Sequence, residues 1–186
     1  TGGAARREAL ARIDAAFDYA PPVGRSPRSA EERARFDRGA GLYALHCSAC
    51  HQPGGQGFDG LAPPLAGSEW VLGPPGQLAR IVLHGLTGPI EVAGRSYDFP
   101  TMPDHRRLGD DDIASILSYL RQAWEHDAAP IDAEFIAGLR AREAARTEPW
   151  TSAALQALGL YANLDDLPGA LPRPGAGPGP ARWAAA

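Results

Sequence analysis

The sequence of 186 residues lacks lysine, long apolar stretches and a positive net charge, and each absence argues against a function. All 18 basic residues are arginine and there is no lysine, so docking onto an acidic partner cannot depend on lysine clusters. The longest apolar stretches, such as Ile113 to Leu120, are interrupted by serines and fall short of the ~18 residues that a membrane span needs. We therefore expect no transmembrane segment in this chain. The net charge is −4 and the arginines are dispersed, which argues against nucleic acid as a partner.

The chain has only two cysteines, Cys47 and Cys50, and His51 follows them directly. Two cysteines at this spacing can form a small disulfide, a redox-active dithiol or half of a zinc site. A structural zinc site needs a second Cys-x-x-Cys or a paired histidine motif, and the sequence has neither. A thioredoxin-like dithiol follows a strand, whereas the residues before Cys47 predict a helix.

Residues 47–51 instead match Cys-x-x-Cys-His, the attachment motif for c-type haem. In this motif both thiols bond to the haem vinyl groups and the histidine ligates the iron. Cysteines three positions apart on a helical turn lie on one side of the chain, so both can reach one edge of the porphyrin. The motif predicts one covalently bound haem c, with Cys47 and Cys50 as thioethers and His51 as an axial ligand.

The only methionine, Met102, is the predicted second axial ligand. It lies 51 residues after His51, between Pro100 and Pro103, and both prolines restrict the backbone around it. Most methionines fill gaps in a core, but a thioether is the common partner of histidine in electron-transfer haem sites. The remaining histidines are weaker candidates for the iron, because they resemble surface or helix-end residues: His46, His84, His105 and His126.

The apolar periodicity predicts an all-α chain. Three helices are expected at residues 30–50, 77–86 and 110–125, and two more at 132–146 and 152–158. Gly and Pro predict a loop at 52–67, and residues 88–98 predict a small hairpin turning at Gly94.

Four regions follow from this organisation. Residues 1–30 form an N-terminal arm and linker, 31–127 a mono-haem domain, 128–167 a helical extension and 168–186 a tail. Nine of the nineteen tail residues are Pro or Gly, a composition that cannot bury enough surface to fold alone. If the tail is ordered, we expect it to lie along another subunit.

Between about residues 33 and 125 the sequence resembles class I cytochromes c. Gly39 and Tyr43 match the small and aromatic pair on the first helix of that family, and Ile116 and Tyr119 match the positions that cross them on the last helix. The resemblance implies the class I fold, with three core helices around one haem. Haem attachment in this family takes place outside the cytoplasm. A periplasmic or otherwise extracytoplasmic protein is therefore expected, with Thr1 following a removed signal peptide or upstream segment.

Two further positions gain a role from the resemblance. Pro63, twelve residues after His51, matches the proline whose carbonyl accepts a hydrogen bond from the haem histidine, and Leu65 matches a leucine packed on the ring. We also expect the haem propionates to meet Arg80 or Arg95, with Trp70 and Tyr97 as possible hydrogen-bond donors.

A narrower resemblance concerns cytochrome c modules that accompany extracytoplasmic dehydrogenases, including quinoprotein types. It rests on three strings, at residues 63–68 (PPLAGS), 83–90 (LHGLTGPI) and 117–121 (LSYLR). It implies redox protein partners: a dehydrogenase, or a membrane-bound respiratory or photosynthetic complex, contacted by the terminal arms.

The predicted function is electron transfer through His51- and Met102-ligated haem, without bond-making catalysis. Two alternatives stay open at this point. In one, Met102 detaches and the haem works as an enzyme or sensor with an open distal site; a two-haem peroxidase is excluded because only one Cys-x-x-Cys-His exists. In the other, the chain is a structural or tethering subunit of a larger redox complex, whose arms matter more than its haem.

Overall fold

A computed structural model describes residues 29–158 of the chain. In chain order its elements are α1 (Ala30–His46), α2 (Ser48–His51), α3 (Glu69–Leu72), α4 (Pro75–His84), β1 (Ile90–Val92), β2 (Arg95–Tyr97), α5 (Asp110–Leu120), α6 (Ala133–Arg142) and α7 (Ser152–Ala157). The predicted N-terminal arm up to residue 28 and the predicted tail at 168–186 lie outside the described residues. Among the helices of residues 29–158, none is long and apolar enough to cross a bilayer.

The predicted helix at 30–50 is interrupted at Cys47. Ser29 and Glu32 form a reciprocal capping box at the start of α1. Cys47, with φ −124° and ψ −37°, both ends α1 and begins α2. The prediction of one continuous helix was therefore wrong. A break at Cys47 separates the long helix from the short turn that carries Cys50 and His51.

The remaining elements differ from expectation mainly at their ends. Helix α4 begins at Pro75, which suits the first helical position, and ends where Gly85 adopts a φ of +84°. Helix α5 begins at Asp110 as predicted but stops at Leu120. The hairpin was predicted correctly and turns at Ala93 and Gly94, both with positive φ. The short helix α3, capped by Ser68, was missed because four residues carry too little periodicity.

The core is organised by the crossing of α1 over α5. A Cβ on Gly39 would lie 2.7 Å from the Cβ of Tyr119 and would overlap the Ser115 carbonyl, so only glycine allows this approach. The rings of Tyr43 and Tyr119 pack beside the crossing, with centroids 5.4 Å apart. This arrangement confirms the contact between Gly39 and Tyr43 on one helix and Tyr119 on the other.

Helices α6 and α7 pack onto this framework as the predicted C-terminal helices. Ile136 and Leu139 of α6 are fully buried in the main core with α4 and α5. Leu155 of α7 is buried in a second cluster together with Trp150 and Trp70. Within residues 29–158 the structure is therefore all-α apart from one two-stranded hairpin, while the predicted domain boundaries stay predictions.

Candidate haem-binding site

The Cys47–His51 segment forms one tight turn. The amides of Cys50 and His51 both donate to the Cys47 carbonyl, at 3.2 Å and 3.0 Å. Cys47 is partly buried, Cys50 is exposed and His51 is buried. The turn thus presents two thiols and one imidazole within five residues.

The properties of the cysteines disfavour the alternative uses of a Cys-x-x-Cys pair. Burial raises the pKa of the Cys47 thiol to about 12, with a further contribution from Cys50. A redox dithiol needs a lowered thiol pKa, because the thiolate is the nucleophile. Within residues 29–158, no group of three or more His, Cys, Asp or Glu side chains is arranged to hold a metal ion, so the zinc reading also lacks its ligands.

His51 is held in the orientation that an axial ligand requires. Its Nδ1 lies 3.0 Å from the carbonyl oxygen of Pro63, to which it donates as the neutral tautomer. Burial lowers the pKa of His51, an effect opposed by the Pro63 bond and reinforced by His105. The ring is therefore neutral near pH 7, with the Nε2 lone pair available for iron.

An apolar cavity lies between this turn and the loop at residues 99–103. Helix α4, the strand β1 and helix α5 supply aliphatic walls, and the loop 99–103 closes one side. The lining comprises Cys47, Cys50, His51, Leu61, Ala62, Pro63, Pro64, Leu65, Ser68, Trp70, Val71, Leu78, Ile81, Val82, Leu86, Ile90, Val92, Phe99, Pro100, Thr101, Met102, Pro103, His105, Ile116 and Leu120. A flat hydrophobic macrocycle requires such a lining, with few polar groups at fixed places.

Met102 reaches the same cavity from a loop that is fixed by backbone hydrogen bonds. Its amide donates to the Leu86 carbonyl at 2.8 Å, and the Leu86 amide donates back to the Met102 carbonyl at 3.2 Å. The prolines at 100 and 103 flank this pair. Met102 thus lines the cavity that also contains both thiols and the His51 imidazole.

Leu65 and Trp70 also line the cavity, whereas three other predicted residues, Arg80, Arg95 and Tyr97, do not. The Trp70 Nε1–H donates to the Glu91 carbonyl at 2.8 Å, so this indole nitrogen already has an acceptor. Tyr97 lies in an adjacent surface depression with Arg95, whose guanidinium is 5.4 Å from the Tyr97 ring centroid. That depression shares Leu61, Ala62 and Phe99 with the cavity.

The expectation that Arg80 meets a propionate needs correction. Its side chain is 3% exposed and its Nε donates to Glu143 at 2.5 Å. A second nitrogen donates to the Gly76 carbonyl at 3.3 Å. Glu143 lies in the C-terminal extension, where sequence spacing gave no sign of a partner for Arg80.

Three of the four histidines other than His51 are more buried than the sequence predicted. His126 is buried: its Nε2 accepts from the Gly67 amide at 2.8 Å and its Nδ1 lies 2.7 Å from the Leu120 carbonyl, so it ties the Pro63 loop to α5. His84 is buried at the end of α4. His105 lines the cavity, a position that sequence reasoning missed because the residue stands in a loop without periodicity. Only His46 is at the surface, as expected.

Comparison with known proteins supports the same interpretation. The cytochrome c family model matches residues 36–124. Cytochrome c-552 of Thermus thermophilus is 39% identical over 115 residues, which cover 56% of this chain and 86% of that protein. The chain belongs to the cytochrome c family.

Two other relatives of this cytochrome c are subunits of dehydrogenases. The cytochrome c subunit of the quinone-dependent alcohol dehydrogenase of Gluconobacter oxydans is 32% identical over 92 residues, covering 48% of this chain and 19% of the relative. The gluconate 2-dehydrogenase cytochrome c subunit of Pantoea cypripedii is 32% identical over 112 residues, covering 56% and 24%. The match therefore spans about a quarter or less of these two relatives.

Family membership makes this cytochrome c an electron-transfer protein with covalently bound haem c. The residues present fit that group, since two thiols, a neutral buried imidazole and a thioether meet one apolar cavity. The bound haem supplies one-electron chemistry between ferric and ferrous iron.

Proposed function

We propose that His51 and Met102 are the two axial ligands and that Cys47 and Cys50 carry the thioether bonds. The observation that supports this is the shared cavity: three side chains from the helical turn at residues 47–51 and one from the Met102 loop line the same apolar space. The protein supplies a neutral nitrogen donor through His51, held by the Pro63 carbonyl. A methionine thioether as the second donor favours ferrous iron and raises the reduction potential relative to two histidines.

The structure of the ligand loops suits electron transfer rather than substrate activation. Met102 is tied to Leu86 by two backbone hydrogen bonds, and its neighbours are prolines. Ligands that keep their places in both oxidation states keep the reorganisation of the site small. Substrate activation at iron would need Met102 to leave, and this backbone pairing opposes that movement.

Proton NMR of the ferrous protein tests the ligation independently of visible absorption. A methionine bound to low-spin ferrous iron lies over the porphyrin face, where the ring current moves its methyl resonance far upfield. Because Met102 is the only methionine, a single such resonance of three protons is expected and assignment is unambiguous. A methionine methyl at its ordinary shift would contradict the proposal.

We further propose that the protein relays electrons between an extracytoplasmic redox enzyme and a component of a respiratory or photosynthetic chain. Support comes from the relatives that are cytochrome c subunits of a quinone-dependent alcohol dehydrogenase and of a gluconate 2-dehydrogenase. Covalent haem attachment outside the cytoplasm supports a periplasmic location. Expression with a secretory leader, followed by fractionation, tests the location: haem-loaded protein is expected only when the chain is exported.

Electrons are proposed to pass through the edge near Cys50. This cysteine is exposed, and three large apolar side chains nearby in sequence or at the cavity are also exposed: Leu45 at 78%, Phe58 at 58% and Leu61 at 40%. An apolar docking face makes association weakly dependent on ionic strength. Because the chain has no lysine, the face cannot use a lysine cluster to steer association with acidic partners.

Stopped-flow electron transfer from a reduced quinoprotein dehydrogenase tests this face. We expect Leu61→Ser to slow the second-order rate on the order of tenfold, the effect of losing one buried apolar contact. Leu72→Ser is the matched control, because Leu72 is an exposed leucine on α3 that does not line the cavity. Equal rates in the two variants would argue against docking at this edge.

Tyr97 and Arg95 stay as proposed partners of the propionates, whereas Trp70, whose indole N–H donates to the Glu91 carbonyl, stays only as a proposed wall beside them. Tyr97 and Arg95 lie in the depression that adjoins the cavity, and Trp70 lines the cavity itself. Tyr97→Phe is expected to shift the pH dependence of the reduction potential, because a propionate that loses a hydrogen bond is protonated more readily. An unchanged profile would place the propionates elsewhere.

A further inference from the structure

The C-terminal extension reaches the loop that carries Met102 through a single strand-like segment at residues 85–87. On one side of this segment, Leu86 exchanges two backbone hydrogen bonds with Met102. On the other side, the Trp150 amide donates to the Gly85 carbonyl at 3.0 Å and the Thr87 amide donates to the Trp150 carbonyl at 2.8 Å. The segment 85–87 thus lies between Met102 and Trp150 and forms backbone hydrogen bonds with both.

The ladder depends on where helix α4 ends. Gly85, with φ +84°, turns the chain out of α4, and a Cβ there would lie 2.5 Å from the Met102 carbonyl oxygen. The two backbones therefore touch at this point. A small displacement of the last turn of α4 would move Leu86, and with it the hydrogen bonds to Met102.

Glu143 anchors that last turn. Its Oε1 accepts a hydrogen bond from Arg80 Nε at 2.5 Å, and its Oε2 lies 3.2 Å from His84 Nε2 in a contact that lacks hydrogen-bond geometry. Arg80 and His84 are four residues apart and so lie on one face of α4. The side chains of Arg80, His84 and Glu143 are 3%, 7% and 15% exposed, respectively. Because water has little access to these contacts, it replaces them poorly if Glu143 is lost.

Neighbouring arginines extend the contact to the residues after Met102. The Arg146 guanidinium lies 3.5 Å from the Trp150 ring centroid and donates to the Pro149 carbonyl. Arg106 donates to the carbonyls of Arg146 and Thr147, both at 3.4 Å. The extension consequently contacts the segment 85–87 that pairs with Met102 and, through Arg106, the chain that follows the methionine.

We propose that Glu143 is a positioning residue for Met102, acting through Arg80 and His84 on the end of α4. The proposal rests on the proposed ligation of iron by Met102. It assigns a role in the site to a residue outside the part of the chain that matches the family model, which ends at residue 124. Loss of Glu143 loosens the Leu86–Met102 pairing before it unfolds the protein.

The test measures how often Met102 leaves the iron. Exogenous imidazole binds ferric iron only when the methionine has dissociated, so its limiting rate reports the opening of the loop. Glu143→Gln is expected to raise this rate on the order of tenfold, the effect of losing about one charge-assisted contact. Hydrogen exchange at the Met102 amide should accelerate in parallel, since this amide is bonded to Leu86.

Glu148→Gln is the matched control, because it removes the same charge from an exposed position in the same extension. Far-UV circular dichroism establishes that each variant is folded at the working temperature. If Glu143→Gln fails to accumulate, His84→Gln replaces it with a smaller expected acceleration, because it removes only one of the two contacts of the Glu143 carboxylate.

The outcomes separate the two proposals. If folded Glu143→Gln shows the wild-type rates of imidazole binding and of hydrogen exchange, and Met102 is bound in the wild type, the positioning role alone is overturned. A wild type whose imidazole binding is not limited by methionine dissociation would overturn the ligation. Equal acceleration in Glu143→Gln and Glu148→Gln would also overturn the positioning role, because it would reflect net charge.

Discussion

The Nδ1 atom of His51 lies 3.0 Å from the carbonyl oxygen of Pro63, so the proposed axial histidine is oriented by a backbone group twelve residues away. The carbonyl is itself placed by the loop between them. The amides of Leu65 and Ala66 both donate to the Gly55 carbonyl, at 2.7 Å and 2.9 Å, and the Gly57 amide donates to the His51 carbonyl at 3.0 Å. The loop thus closes on the residue whose ring it holds.

Gly57→Ala is expected to disturb this bond. Gly57 has φ +72°, and a Cβ there would lie 2.8 Å from the Pro63 oxygen and 2.5 Å from the Ala62 oxygen. Displacing the carbonyl weakens its hydrogen bond to His51 and lowers the basicity of the ligand. A less basic ligand stabilises ferric iron less, so the reduction potential should rise in protein-film voltammetry.

Gly60→Ala provides the control for Gly57→Ala. Gly60 has a similar φ of +75°, but a Cβ there meets nothing within 4 Å. Both substitutions therefore carry the cost of a left-handed alanine, about 1 kcal/mol, and only one displaces Pro63. The same potential in both variants would contradict a specific role for the Pro63 carbonyl.

The helix crossing makes a second prediction, on stability. Gly39→Ala should lower the free energy of unfolding by about 1–3 kcal/mol or more, because the new methyl overlaps the Ser115 carbonyl of α5. Gly41→Ala, on the same helix with nothing within 4 Å, should raise it by roughly 0.5–1 kcal/mol. Urea unfolding followed by circular dichroism measures both, and a destabilised Gly41→Ala with an unaffected Gly39→Ala would contradict the packing.

Buried His84 predicts a component of the pH dependence of stability. Burial lowers its pKa; Glu143 opposes this, whereas Arg106, Arg146 and Arg80 reinforce it. The unfolded chain then binds more protons than the folded chain below an unfolded pKa of about 6.5. The free energy of unfolding should therefore fall with decreasing pH in this window, down to the lowered folded pKa, by at most about 1.4 kcal/mol per unit for one proton.

His84→Gln should remove this component and make the fall in unfolding free energy below about pH 6.5 less steep, while His51 and His105, whose pKa values burial also lowers, keep part of the slope. His46→Gln is the control at an exposed histidine. Urea titrations at a series of pH values measure the slope. If the slope in His84→Gln equals that of the wild type, His84 is not held neutral by its surroundings.

Local patterns in the sequence were sufficient to predict much of the fold. The capping box at Ser29, the turn at Gly94 and the start of α5 at Asp110 depend on residues within a few positions, and all three were found. The end of α5 was not, because Trp124 and Glu125 take positive φ values in a turn that tertiary packing imposes. The short helix α3 was missed because its length is close to a single turn.

In the candidate site, too, features defined by local sequence were predicted and contacts between distant residues were not. The Cys-x-x-Cys-His turn and the single methionine are visible in the sequence because their chemistry is tied to residue type and spacing. The partner of Arg80 was not predicted, since Glu143 is 63 residues away and no local pattern connects them. The buried state of His126 was missed for the same reason, as its partners Gly67 and Leu120 lie on other elements.

The axial ligation is tested most directly by visible absorption of the ferric protein, in the wild type and in Met102→Ala. A methionine sulfur bound to ferric iron produces a weak band at the red end of the spectrum. We expect the wild type to show this band and to resist carbon monoxide when reduced, and Met102→Ala to lose the band and bind carbon monoxide. A wild type without the band that binds carbon monoxide readily would contradict ligation by Met102 and, with it, the proposed His51/Met102 electron-transfer site.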